Sequence, residues 1–140
     1  MGLPIEGGCA CGDLRYRSNA APILMFNCHC RDCQRASGGA FTPVVVFAPG
    51  ILDITKGTPR YYITRSENGG HLHRGFCPQC GSRVFGKPDP DGAFQFGAVT
   101  ASSLDDPNIF KPQHIIFAAD AYAWHVMDSN VPRFEKYSPQ

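Results

Sequence analysis

At 140 residues with 43% hydrophobic side chains, the chain has the size and apolar content of one domain with a real core, expected to span residues 1–140. Thirteen Lys and Arg stand against 12 Asp and Glu for a formal charge of +1, and no stretch gathers four like charges, which argues against nucleic acid or an acidic membrane surface as a partner. The start, Met1-Gly2-Leu3-Pro4-Ile5-Glu6, lacks the pattern of a signal peptide, and no apolar run approaches the roughly 18 residues of a membrane span, so no membrane association and a cytoplasmic location are expected.

Fifteen glycines and 12 prolines are spread along the whole length, and the apolar runs between them are short, β-branched or aromatic. In chain order, strands are expected at residues 13–17, 23–26, 42–47, 51–55, 60–65, 71–76, 83–86, 94–99 and 114–117. Their spacing of about ten residues, with turn signals at Asn68-Gly69-Gly70 and Pro88-Asp89-Pro90-Asp91-Gly92, predicts a mainly β fold of small twisted antiparallel sheets. Helix is expected only at residues 31–36, ended by Ser37-Gly38-Gly39, with a turn near residues 102–106 before Pro107.

Seven cysteines form an odd set, so a pure disulfide framework would leave one thiol over, and a reducing compartment would keep the others open. They are better read as metal ligands. In Cys77-Pro78-Gln79-Cys80-Gly81 the proline fixes one backbone angle and two intervening residues aim both sulfurs at one ion. The glycine can take a left-handed conformation that lets backbone N–H groups approach the thiolates. A thioredoxin-like dithiol is the competing reading, but that motif opens a helix in a βαβ unit, whereas the flanks here read as strands.

The half-site needs two more ligands, and Cys9-Ala10-Cys11 supplies a pair whose side chains share a face in an extended chain. Cys9, Cys11, Cys77 and Cys80 would then close a long loop as a structural zinc site, the alternative being that Cys9 and Cys11 are merely small buried residues. Cys28, Cys30 and Cys33 remain, one ligand short of a closed tetrahedral set. Structural zinc sites normally have four protein ligands, whereas catalytic ones keep a position for another ligand, so this triad reads as a second, exchangeable zinc site. His29 sits between two of the cysteines and should point away, while His71, His73, His114 and His125 stay unplaced as fourth ligands. Zinc with three thiolates carries a formal charge of minus one and is a soft Lewis acid suited to another sulfur. A second stabilising zinc, or a redox cluster, remains the alternative.

The pattern CxC, CxCxxC, CxxC resembles the glutathione-dependent formaldehyde-activating enzyme family, which shares its domain with centromere protein V. "GGCACGDLRY", "CRDCQRASGGAF", "GFCPQCGSRVF" and "HIIFAADAYAW" look like that family's segments, so the likeness runs across nearly the whole chain. The resemblance implies an Mss4-like fold, a closed zinc site at Cys9, Cys11, Cys77 and Cys80, and a second zinc at Cys28, Cys30 and Cys33. It also implies a carbon–sulfur lyase that interconverts formaldehyde plus glutathione and S-hydroxymethylglutathione, with glutathione as co-substrate.

The expected mechanism has a small thiol entering the fourth position on the zinc of Cys28, Cys30 and Cys33 and meeting a small carbonyl electrophile. Two rivals stand beside it: a zinc-stabilised binding module without catalysis, and a thiol or zinc redox sensor. Arg31, Arg35 and Arg83 lie near the cysteine segments, where an arginine fork would suit a substrate carboxylate, although solvated surface is the plainer reading. Tyr61, Tyr62, Phe94, Phe96 and Trp124 read as core in preference to pocket walls. Asp32 reads as the cap of the short helix in preference to a proton acceptor.

Overall fold

In a computed structural model that describes residues 2–89 and 97–139, the chain is mainly β. The strands are β1 (Ile5–Gly8), β2 (Arg15–Ser18), β3 (Leu24–Cys28), β4 (Thr42–Phe47), β5 (Asp53–Lys56), β6 (Arg60–Arg65), β7 (His71–Phe76), β8 (Arg83–Pro88), β9 (Gly97–Thr100) and β10 (His114–Ile116), with α1 (Arg31–Ser37) between β3 and β4. The expected turn near residues 102–106 resolves into two single 3-10 turns, Ala101–Ser103 and Pro107–Ile109. Of the expected strand over residues 94–99, Phe94 and Phe96 lie outside the described residues, as does the Pro90-Asp91-Gly92 part of the turn signal before it.

Three strands form one sheet in the order β1-β2-β5, and seven form the other in the order β10-β3-β4-β9-β8-β7-β6. All pairings are antiparallel except that of β10 with β3, so the larger sheet is mixed at that edge. Register fixes which residues share a face. Met25 stands opposite Val45, whereas Phe26 stands opposite Val44 and Cys28 opposite Thr42, on the other face. Val45, Phe47, Phe85 and Val99 pack with Ile5 and Tyr16 of the small sheet into the main core, which also contains Cys77. Across the large sheet, Cys28, Cys33, Ile116 and Phe117 form a second, smaller cluster. The two cysteine groups therefore belong to different apolar clusters.

β1 is not among the expected strands, since Ile5-Glu6-Gly7-Gly8 has no run of β-branched or aromatic residues to mark it. The glycines are there for close packing: a Cβ on Gly7 would collide with the Ser103 carbonyl oxygen and the Tyr16 hydroxyl. That hydroxyl is buried and hydrogen-bonded to Ser103 Oγ at 2.8 Å, so it has nowhere to go. Gly7→Ala should lower the stability by about 2 kcal/mol or more, read as a lower urea midpoint. Gly39→Ala, whose added methyl meets nothing closer than 3.8 Å, should leave the midpoint unchanged.

Candidate metal centres

The first group is built from two tight turns. After β1, Cys9 N–H donates to the Leu14 carbonyl at 3.1 Å, Gly12 turns the chain at φ 84°, and Leu14 N–H donates to Cys9 Sγ at 3.2 Å. After β7, Cys77 N–H donates to the Ser82 carbonyl at 3.0 Å, Gly81 takes φ 77°, and Gln79 N–H donates to Cys77 Sγ at 3.4 Å. Each turn thus brings a backbone N–H onto a sulfur, the arrangement that stabilises thiolate. The turns meet through Ala10 N–H, which donates to Ser82 Oγ at 3.0 Å.

As a result the sulfurs of Cys9, Cys11, Cys77 and Cys80 lie within 4.8 Å of one another, a group that could hold a metal ion. Cys9 and Cys11 Sγ are 3.6 Å apart, and Cys11 and Cys77 Sγ 3.7 Å. A tetrahedral zinc with Zn–S bonds of about 2.3 Å needs sulfurs about 3.8 Å apart, so the spacing fits zinc and is far too long for a disulfide. The Ser82 hydroxyl and backbone N–H pull the Cys80 thiol down to about 5.

The second group lies where β3 passes into α1. Cys28 ends the strand, Cys30 is the N-cap, and Cys33 faces inward from the first helical turn. Cys30 Sγ accepts from Cys33 N–H at 3.3 Å, so a thiol does the capping that the sequence suggests for Asp32. Asp32 instead sits within the first turn, where its carboxylate complements the helix dipole. Thr42 Oγ1 donates to the Cys33 carbonyl at 2.8 Å and pins the helix to β4. The three sulfurs lie within 4.8 Å of one another, and among the described residues no fourth His, Cys, Asp or Glu joins them.

Electrostatics singles out Cys33. Its neighbours Cys28 and Cys30, and then the Arg74 guanidinium, hold the thiol down to about 2. Cys28 moves the other way, pushed up by sharing the site with Cys30 and Cys33 and by burial. Arg74 is the residue the sequence reading missed: it is 5% exposed, and its Nη1 donates to Cys33 Sγ at 3.5 Å. No local signal in His71-Leu72-His73-Arg74 points to it, because the contact with Cys33 spans 41 residues. Arg83, read as a surface residue, is half-buried instead, and desolvation followed by the nearby Arg74 charge pushes its pKa down to about 10.

The other arginines and rings separate from the triad. Arg31 Nη1 donates to Gln34 Oε1 and to the Tyr122 hydroxyl, both at 2.6 Å, and Arg35 is exposed. His29 is buried, its ring 5.3 Å from those of Phe41 and His125. His71 and His73 face Asp89, and the His114 ring packs edge-on against Phe134. Tyr62 and Trp124, expected in the core, are 67% and 70% exposed, Trp124 stacking on Tyr122 at 4.6 Å. Tyr61 packs against the main core and borders an open cleft of about 300 Å³ with Leu52, Ile54 and Phe85.

Among known families, residues 4–120 match the one described as glutathione-dependent formaldehyde-activating enzyme. A curated protein of Halomonas elongata, named "Putative glutathione-dependent formaldehyde-activating enzyme", is 28% identical over 109 residues, covering 74% of this chain and 69% of that protein. Among solved structures, a Rhodobacter sphaeroides protein superimposes with a TM-score of 0.55 at 15% identity, covering 74% of this chain and 93% of the other, a likeness of fold. No helix among the described residues is long and apolar enough to cross a membrane.

Proposed function

The chain belongs to the glutathione-dependent formaldehyde-activating enzyme family, and from that premise we propose that it acts as a carbon–sulfur lyase, joining formaldehyde and glutathione reversibly as S-hydroxymethylglutathione. The observation that carries this reading is the group of Cys28, Cys30 and Cys33, three sulfurs within 4.8 Å of one another that stop one short of a closed tetrahedral set among the described residues. The reading takes residues 1–140 as one domain, with Cys9, Cys11, Cys77 and Cys80 as ligands of a structural zinc.

In the forward direction a bond forms between the glutathione sulfur and the formaldehyde carbon. The carbonyl π pair moves to oxygen, which ends with the proton the thiol gave up, so no oxidant or reductant is needed. Zinc held by Cys28, Cys30 and Cys33 supplies a soft Lewis acid with an affinity for one further sulfur. The chain's own contribution is arrangement. Cys28 is fixed by β3 and its pairing with β4 and β10, Cys30 and Cys33 by the capped turn of α1, and Phe117, Ile116 and Phe134 keep the thiols out of bulk water. Phe117 holds this packing with a left-handed backbone, φ 55°, a conformation that costs about 1 kcal/mol or more in a non-glycine residue.

With cobalt in place of zinc, adding glutathione should change the visible absorption of the triad metal, and the protein should speed formaldehyde–glutathione exchange followed by NMR. Absorption that ignores glutathione and every other small thiol would overturn the reading.

A further inference from the structure

Two guanidinium groups share the triad's face of the large sheet, where a buried charge is costly unless something repays it. Arg74 Nε donates to Thr64 Oγ1 at 3.0 Å while its Nη1 reaches Cys33. Across the β7–β8 pairing Arg74 stands opposite Gly86, and Arg83 Nη2 lies 3.8 Å from where a Cβ on Gly86 would sit. The Arg83 head group thus reaches over the Gly86 position, beside Arg74 on the same face. Arg83 Nε is buried without a hydrogen-bond partner. Among the described residues, neither arginine is in an ion pair with a carboxylate.

Three thiolates and one zinc leave a net charge of minus one, which Arg74 alone would balance. Binding a neutral fourth ligand would then leave the half-buried Arg83, whose Nε is out of water and unpartnered, as an uncompensated cation, whereas binding a thiolate brings the centre to minus two and the pair of arginines balances it. We infer that Arg74 and Arg83 are positioning residues of the triad centre: Arg74 holds Cys33 in place as a metal-binding thiolate, and Arg83 supplies the second positive charge that selects an anionic sulfur ligand over a neutral one. The inference rests on the proposed function and names the charge state of the ligand that site takes.

The test uses the cobalt-loaded protein and reads two quantities: the affinity of the triad for cobalt, by competition with a chelator, and the affinity for glutathione and for cysteine, from the absorption change. Arg83→Gln should leave the cobalt affinity within about threefold and weaken both thiols at least about tenfold, with Arg83→Lys recovering part of the loss. Arg74→Gln should weaken cobalt binding at the triad about 10- to 100-fold while the four-cysteine group keeps its metal. Thr64→Val, which frees the Arg74 head group without removing its charge, should do the same more mildly and serves if Arg74→Gln fails to fold. Unchanged thiol affinity in Arg83→Gln, or unchanged cobalt affinity in the Arg74 and Thr64 variants, overturns the inference. Wild-type cobalt protein that is blind to thiols overturns the proposed function instead, and the cobalt affinities still judge Arg74 separately.

Discussion

Cys80→Ser is expected to leave the protein unfolded or severely destabilised, and Cys77→Ser to do at least as much. Cys80 is exposed and the cleaner probe, because its serine variant alters the sulfur group without disturbing the core. Cys77 is fully buried beside Leu14, Tyr16 and Val84, so its serine also puts a hydroxyl among apolar side chains. The magnitude follows from topology. The two turns that make up the group are 66 residues apart between Cys11 and Cys77, and the metal would join the small sheet to the end of β7 across that interval. Structural zinc contributes on the order of 10 kcal/mol to folding in zinc-finger peptides, comparable with the roughly 5–15 kcal/mol total stability of an ordinary domain. Thermal denaturation followed by circular dichroism, with zinc counted per chain, checks this. A soluble Cys80→Ser protein with an unchanged midpoint would remove the structural role from that group.

The same topology explains what could be read from the sequence. Strands with β-branched or aromatic runs between turn residues, such as β4, β6 and β7, were expected with the observed bounds, because local pattern decides them. β1 was hidden, since its glycines answer to Tyr16, Ser103 and Leu14, contacts distant in sequence or across a sheet. The size of the large sheet and its parallel β10–β3 edge were equally out of reach, being set by pairings between residues nearly ninety positions apart. The cysteines sorted themselves by spacing, which local turn geometry governs. The groups around them did not: Arg74 meets Cys33 across 41 residues, and nothing in His71-Leu72-His73-Arg74 marks it apart from an exposed strand cation. Asp32 misled because propensity ranks carboxylates above thiols as caps, whereas here the Cys30 thiol is already aimed at the helix start by the cluster it belongs to.

That capping role makes Cys30→Ser the most discriminating change at the triad. Serine is a favoured N-cap, so its hydroxyl can accept from Cys33 N–H as the sulfur does, and α1 should keep its start. Cys30 is only half-buried, so the exchange leaves Ile116, Phe117 and Cys33 packed as they are. As a metal ligand, however, a neutral hydroxyl is a poor substitute for thiolate, and the remaining Cys28 and Cys33 are too few for tight binding. The expected protein therefore melts close to wild type, retains the metal of the four-cysteine group, loses that of the triad, and forms S-hydroxymethylglutathione at least about 100-fold more slowly, a larger loss than removing an outer hydrogen-bond partner would give. Calorimetry, metal analysis and the NMR exchange assay read the three quantities on one preparation. Full activity in a folded Cys30→Ser protein would separate the reaction from the triad, while a failure to fold would move the triad to the side of structure, because the capping hydrogen bond, the main local contribution of Cys30 to the fold, survives the substitution.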